Sequence, residues 1–338
     1  MKKKCLALLA TAVMALTLAA CGGNGNEPAT DAEVNGGAMT EAGGDTFTIG
    51  FSNRSADTPF FANMTFIIED YAAEKGIEVV AINANNDVEK QNRDIQDLLQ
   101  RGIDVLIINP VNEEGPSAGI RAANDAGVPI ITIDMNVASG ADVWVGRDNY
   151  NMGYLVGNRL IELLGGIDAT GTVLEIQGAA GSTTMMARRD GFNAAMESVP
   201  GLTIVQSAFS DFDRSRAIPA TQDLIQAHGV DVVAIFAHND DMALGAAQVV
   251  REQNIENVLV TGIDGLMEAV LAIQIGDYQV TASNDPVLLS HMAVDAAIAL
   301  MNGEDVPDFI DAGTVIIDLY NVDDYADPDL DFATMVGN

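Results

Sequence analysis

From Thr46 onward, short apolar runs alternate with longer stretches whose apolar residues recur at helical spacing. In the first half the runs FTIGF, EVVAIN, DVLIIN and PIITID alternate with helical segments that begin near Pro59, Lys90 and Ala118. After Asn149 the rhythm resumes. Helices are predicted from Tyr150, Arg188, Arg216, Asp241, Met267 and Pro286, and strands at TVLEIQG, LTIVQSA, DVVAIFAHN, VLVTGID, YQVTASN and TVIIDL. The strands are apolar at nearly every position, which is the pattern of parallel strands buried on both faces. Gly76, Gly102 and Gly127 each end a helical stretch, as expected of left-handed caps. Repeated strand–helix alternation predicts α/β layers with helices on both sheet faces, and the two halves share one rhythm.

Open α/β sheets bind ligands outside the carboxyl ends of their strands. The residues at those ends are Asn109, Asp134, Asn239, Asp264 and Asn284, and the loops that follow strands add Phe60, Phe61, Arg188 and Phe212. Carboxylates accept and arginine donates charge-assisted hydrogen bonds to hydroxyl groups. Asparagine does both. Aromatic faces cover apolar C–H surface. This set suits a polyhydroxylated ring. Asp134 and Asp264 also admit a second reading, as the acid and base of a glycoside hydrolase, but each has only an ordinary strand-end setting. Gly178-Ala-Ala-Gly181 lacks the full dinucleotide fingerprint and no P-loop lysine follows it. His228, His238 and His291 lack metal-ligand spacing. The expectation is a binding protein with no catalytic residue, no cofactor and no metal.

The N-terminal segment changes the picture of where the protein works. Lys2–Lys4 precede an apolar run from Cys5 to Ala20, which has the form of a signal peptide at 1–20. Residues 21–45 are rich in Gly, Asn, Ala and acids and read as a flexible linker. Three of the 16 basic residues precede Cys21 and all 49 acids follow it. That leaves 13 against 49, a net charge of −36 beyond the signal. Such a surface repels nucleic acid and anionic lipid. Only Cys5 and Cys21 are present, so no disulfide framework is expected.

The stretches Pro59-Phe60-Phe61, Ile108-Asn109-Pro110, Ile133-Asp134, Asp148-Asn149, Asp211-Phe212-Asp213-Arg214, Asn239-Asp240-Asp241-Met242-Ala243-Leu244-Gly245-Ala246 and Gly262-Ile263-Asp264-Gly265, in this order, carry a resemblance. The chain resembles the periplasmic pentose/hexose-binding proteins of ABC transporters, most closely their ribose-binding members. Leu18-Ala19-Ala20-Cys21 resembles the lipobox of bacterial lipoproteins, which implies lipidation of Cys21.

The family implies the type I periplasmic binding protein fold, with two doubly wound parallel-sheet (Rossmann-like) lobes joined by three crossovers. These are expected near Arg147–Asp148, Asn284–Asp285 and Ala312–Gly313. The N-terminal lobe would comprise 46–147 and 285–312, the C-terminal lobe 148–284 and 313–330. Sugar contacts carry over to Phe60, Phe61, Asn109, Asp134, Arg188, Phe212, Asn239, Asp264 and Asn284. The implied protein is a monomer, lipid-anchored outside the cytoplasm. It would hand a monosaccharide or related polyol to an ABC permease and its ATPase subunits, or alternatively feed a chemoreceptor or histidine kinase. The same fold serves the ligand cores of lac-repressor relatives, but those need a helix-turn-helix and a basic surface.

Three departures concern the ligand. The arginine that ribose binders carry after the aspartate at 134 is here Met135. The loop before Pro59 is about two residues longer and ends in Thr58, and position 284 is Asn in place of Gln. The coincidence of a lost arginine and a longer loop suggests that Arg54 or Asn53 supplies the missing donor.

Overall fold

The computed structural model describes residues 47–229 and 231–336. The signal segment, Cys21 and the linker expected at 1–45 lie outside them. No described helix is long and apolar enough to cross a membrane.

Two six-stranded sheets organise the chain. The first is built from β1 (Thr48–Asn53), β2 (Glu78–Asn83), β3 (Val105–Ile108), β4 (Ile130–Asp134), β5 (Val143–Gly146) and the late strand β11 (Phe309–Asp311), in the order β11-β5-β4-β3-β1-β2. The second holds β6 (Gly171–Ile176), β7 (Leu202–Gln206), β8 (Val232–Ala237), β9 (Leu259–Asp264), β10 (Val280–Ser283) and β12 (Ile316–Asp318), in the order β12-β10-β9-β8-β6-β7. All pairings are parallel except that of β10 with β12. The chain passes between the sheets after β5, after β10 and between β11 and β12. In each sheet the strand order reverses beside the first strand, at β1/β3 and at β6/β8. These are the switch points where open α/β sheets bind ligands.

The continuous apolar runs have a direct cause. Val105 and Ile107 of β3 point into one core cluster and Leu106 and Ile108 into the other. In β8, Ile235 and Ala237 face one side and Ala234 and Phe236 the other. Fully burying each large side chain contributes about 1.5–3 kcal/mol. Helices α1 (Pro59–Glu74) and α9 (Pro286–Met301) cover one face of the first sheet, and α2 (Val88–Gln100) and α3 (Ser117–Ala126) the other. On the second sheet α4 (Asn149–Leu163) and α5 (Thr183–Met196) lie on one face. Helices α6 (Arg214–His228), α7 (Asp240–Glu252) and α8 (Met267–Ile275) lie on the other. Gly76, Gly102 and Gly127 all have positive φ at helix ends, as their positions predict.

Three boundaries differ from the sequence reading. Helix α5 begins at Thr183, not near Arg188, because Ser182 caps it by accepting the Met185 amide at 3.3 Å. Strand β11, with only Phe309–Asp311, carries too little pattern to be predicted. The chain beyond Leu330 also returns to the body of the protein. Met267 N donates to Asp331 O and Ala333 N to Gly265 O, each at 2.8 Å.

A buried carboxylate under the second sheet's ligand edge predicts a pH signature. Asp240 accepts from the Tyr278 hydroxyl at 2.6 Å, Thr281 Oγ1 at 2.8 Å and the Leu266 amide at 2.9 Å. Burial pushes its carboxyl up to about 7, and the charge of Asp264 adds to the rise. An unfolded-chain Asp titrates near ~4. Between these values the folded state holds the extra proton, so this group's contribution to stability is largest below pH ~4 and falls as pH climbs to about 7. Asp240→Asn removes that slope. The melting temperature of the variant relative to wild type is expected to rise from pH 4.5 to 7.5; parallel curves would contradict the assignment.

Candidate functional site

A cavity of about 430 Å³ lies at the carboxyl edges of both sheets, within the range of small-molecule sites. Eight of the nine residues singled out in the sequence line it: Phe60, Phe61, Asp134, Arg188, Phe212, Asn239, Asp264 and Asn284. They come from both halves of the chain.

Asn109 is the exception: the sequence reading made it a ligand contact, and it does not line the cavity. It sits at the end of β3 with no exposed surface, outside the cavity wall. Its Nδ2 points to Met64 Sδ and Asn53 Oδ1, both at 3.5 Å, and its Oδ1 has no hydrogen-bond partner among the described residues. A strand-end position is not enough, because the side chain here turns toward α1 and β1.

Arg188 owes its place to close helix packing. A Cβ on Gly153 of α4 would stand 2.0 Å from Arg188 O, and one on Gly191 of α5 would stand 1.9 Å from Tyr150 O. Only glycine at these points lets the two backbones meet. The contact holds Arg188 Nε at 2.9 Å from Asn149 Oδ1, the N-terminal residue of α4. Its Nη1 then donates to His238 O at 2.6 Å and Nη2 pairs with Asp264 Oδ1 at 3.0 Å. His238 in turn is fixed behind the wall by Glu175, with Nε2 at 2.7 Å from Oε1. Arg189, by contrast, is partly exposed and pairs with its neighbour Asp190.

Asp264 and Asp134 are both enclosed. Burial raises each carboxyl above the ordinary Asp value, while the Arg188 charge pulls both back down. Asp134 belongs to the first sheet, Asp264 to the second and Arg188 to α5 packed on the second, so one electrostatic field spans the cavity. Arg54 also attracts Asp134. Asp134 has φ +66°, Asp211 +52°, Phe212 +60° and Asp264 +130°. Each value is unusual for a residue with a side chain, and all four residues line the cavity. Strained backbone gathered in one place is a mark of a functional site.

The longer loop before Pro59 contributes as its position suggests. Arg54 lines the cavity with its guanidinium 4.9 Å from the Phe61 ring centroid, and burial lowers its pKa. Asn53 does not take part: its Nδ2 donates to Phe61 O at 2.7 Å and to Thr65 Oγ1 at 3.0 Å. Asn239 combines two duties, lining the cavity and capping α7 by accepting the Met242 amide at 3.0 Å. The wall also contains Met135 where an arginine was missed, and Ser182 and Thr184 from the early start of α5. Phe332 from the C-terminal tail completes it.

The charges on the wall are unequal. Six carboxylates (Asp57, Asp134, Asp211, Asp213, Asp241 and Asp264) face two guanidinium groups, Arg54 and Arg188. Arg188 is already paired with Asp264. A phosphate or carboxylate would therefore meet net repulsion, whereas a neutral ligand rich in hydroxyls would find acceptors, amides and aromatic faces.

Arg147 lies just behind this wall, where the chain first leaves the first sheet. Its Nε donates to Gly313 O at 2.6 Å, Nη1 to Asn284 Oδ1 at 2.7 Å and Nη2 to Asp285 O at 3.2 Å. One buried side chain thus touches all three passages between the sheets. The sequence reading placed Arg147 near a crossover but gave it no role.

Known proteins are similar in sequence and fold. The ribose import binding protein of Bacillus subtilis is 33% identical over 267 residues, covering 79% of this chain and 85% of its own. An ABC transporter solute-binding protein from Mycobacterium smegmatis, solved with bound glycerol, is 44% identical with a TM-score of 0.80, covering 86% of this chain and 99% of its own. A fructose-binding periplasmic domain of a hybrid two-component system is 26% identical with a TM-score of 0.74, covering 82% of this chain and 92% of its own. Residues 49–305 match the family model described as periplasmic binding protein domain, and the chain belongs to that family, as a binding protein and not an enzyme.

Proposed function

We propose that this protein captures a neutral monosaccharide or related polyol between its two lobes and delivers it to an ABC importer. The observation that carries this reading is the shared cavity, where Asp134 from the first sheet faces Asp264 from the second and Arg188 from α5 packed on it. The open form binds the sugar on one lobe. The second lobe then adds its contacts, and closure becomes dominant because the closed form alone makes the full set. Lobe boundaries at 147/148, 284/285 and 312/313 put the hinge around Arg147. Phe60, Phe61 and Phe212 cover the C–H faces of the ligand, while Asp134, Asp264, Asn239, Asn284 and Arg188 take its hydroxyls. Arg54 stands in for the arginine missing at Met135. Lipidation of Cys21 would tether a monomeric, extracytoplasmic protein to the membrane.

A second reading has its own support. The two-component fructose-binding domain shares the fold, so the closed form could report to a kinase instead of a permease. Neighbouring permease and ATPase genes favour import; a neighbouring histidine kinase gene favours sensing.

A thermal-shift panel of pentoses, hexoses and polyols tests the capture reading. The cognate ligand at 100 times its Kd is expected to stabilise the protein by about 2.7 kcal/mol. Arg54→Ala is expected to weaken that ligand roughly ten- to hundredfold, the order of 1.5–3 kcal/mol typical of a hydrogen bond to a charged group. A flat panel would refute the reading, and an unchanged affinity in Arg54→Ala would remove Arg54 from it.

A further inference from the structure

The segment after Leu330 does more than end the chain. Asp331 Oδ2 accepts from Asn63 Nδ2 of α1 at 3.0 Å, which ties it to the first lobe. The backbone at Phe332 bridges Leu266 in antiparallel fashion, flanked by the bonds to Met267 and Gly265, which ties it to the loop that follows Asp264. Thr334 Oγ1 and the Met335 amide both donate to Asp285 Oδ2, at 2.9 and 2.8 Å. Asp285 is also the residue that caps α9, through Oδ1. The tail is therefore a strap laid across the hinge, in contact with both lobes and one crossover.

Its backbone, Asp331 and Thr334 make these polar contacts. The Phe332 side chain takes no part in them. Its ring packs edge-on against Phe60 at 5.7 Å between centroids, and the residue lines the cavity with Leu266 beside it. The ring is buried in the first sheet's apolar cluster beside Phe60, which anchors the strap, and its remaining surface lies on the cavity wall.

We propose that Phe332, carried by this strap, contacts the ligand and sets the size of ligand the cavity accepts. The inference rests on the capture reading above and extends it to a residue outside the strand-end pattern. The ring closes one wall against the apolar part of the ligand, where aromatic surface pairs with sugar C–H groups. Shortening it opens volume at that wall, and enlarging it removes volume.

The test uses the full chain and calorimetric titration with D-ribose, D-xylose, D-fructose, D-galactose, xylitol and myo-inositol. The quantity read is the ratio of affinities between the best-bound five-carbon and six-carbon members. Phe332→Ala should shift that ratio tenfold or more toward the six-carbon ligand, and Phe332→Trp should shift it the other way. Phe332→Leu, which keeps an apolar wall, should lie between Ala and wild type and guards against loss of folding in the Ala variant. A ratio unchanged in all three variants, with affinities equal or lowered in common, would overturn the proposal and leave a purely structural strap. If wild type binds no member of the panel, the capture reading falls and this inference with it.

Discussion

Arg188→Ala is expected to lower ligand affinity by two to three orders of magnitude in a calorimetric titration, while Arg189→Ala changes it less than twofold. The physical reason lies in what Arg188 leaves behind. It holds Asp264 at 3.0 Å in an enclosed setting where burial already raises that carboxyl. The ligand loses the guanidinium's hydrogen bond and meets an Asp264 that is no longer held in place; each hydrogen bond to a charged group is worth about 1.5–3 kcal/mol. The His238 carbonyl and Asn149 Oδ1 lose their donor in the same step. Arg188→Lys should recover only part of the loss, since one ammonium group does not reproduce a planar fork that reaches three acceptors. Arg189 lies outside the cavity wall and makes only a local ion pair, a class of contact worth little. Equal effects at 188 and 189 would contradict the assignment.

The second large effect is expected at the hinge. Arg147→Ala should lower stability by about 3–5 kcal/mol, since three buried hydrogen bonds from a charged donor are lost, each worth about 1.5–3 kcal/mol and not fully additive. In a domain of this size that is a drop in melting temperature on the order of 10 °C. The guanidinium is almost fully enclosed, and burial brings it down to about 10 against the attraction of Asp285 and Asp134. Its removal leaves Gly313 O, Asn284 Oδ1 and Asp285 O without these donors at the point where the chain passes between sheets. Asn284 is also on the cavity wall and donates to Asp264 Oδ1 at 3.3 Å, so the ligand affinity should fall along with the melting temperature. Arg147→Lys should not restore both. A melting temperature within 2 °C of wild type would show that the crossovers hold their geometry without it.

Much of the architecture was legible because the chemistry behind it is periodic. Strands buried on both faces write continuous apolar runs, and the glycines at 76, 102 and 127 mark helix ends by their need for positive φ. The cavity wall was legible where function and strand ends coincide, as at Asp134 and Asp264. Asn109 does not line it, since a sequence position does not reveal which way a strand-end side chain turns. The sequence reading missed Ser182 and Thr184 because the helix was started too late; Ser182 before the apolar pair Met185-Met186 was the available N-cap signal. Phe332 and Arg147 were missed for a different reason. Their roles depend on contacts with Leu266, Asn284 and Gly313, residues remote in the chain, and such pairings leave no local period. The trace of the strap in the sequence is a Phe-Ala pair placed just after the acid-rich stretch that ends at Asp331.

The central claim is that groups from both lobes act on one ligand. Titration of the cognate sugar into Asp134→Ala and Asp264→Ala, side by side, tests it most directly. Each substitution, made in a different lobe, should weaken one-to-one binding at least tenfold. A ligand that loses affinity in only one of the two variants is held by a single lobe, and that result would contradict the account.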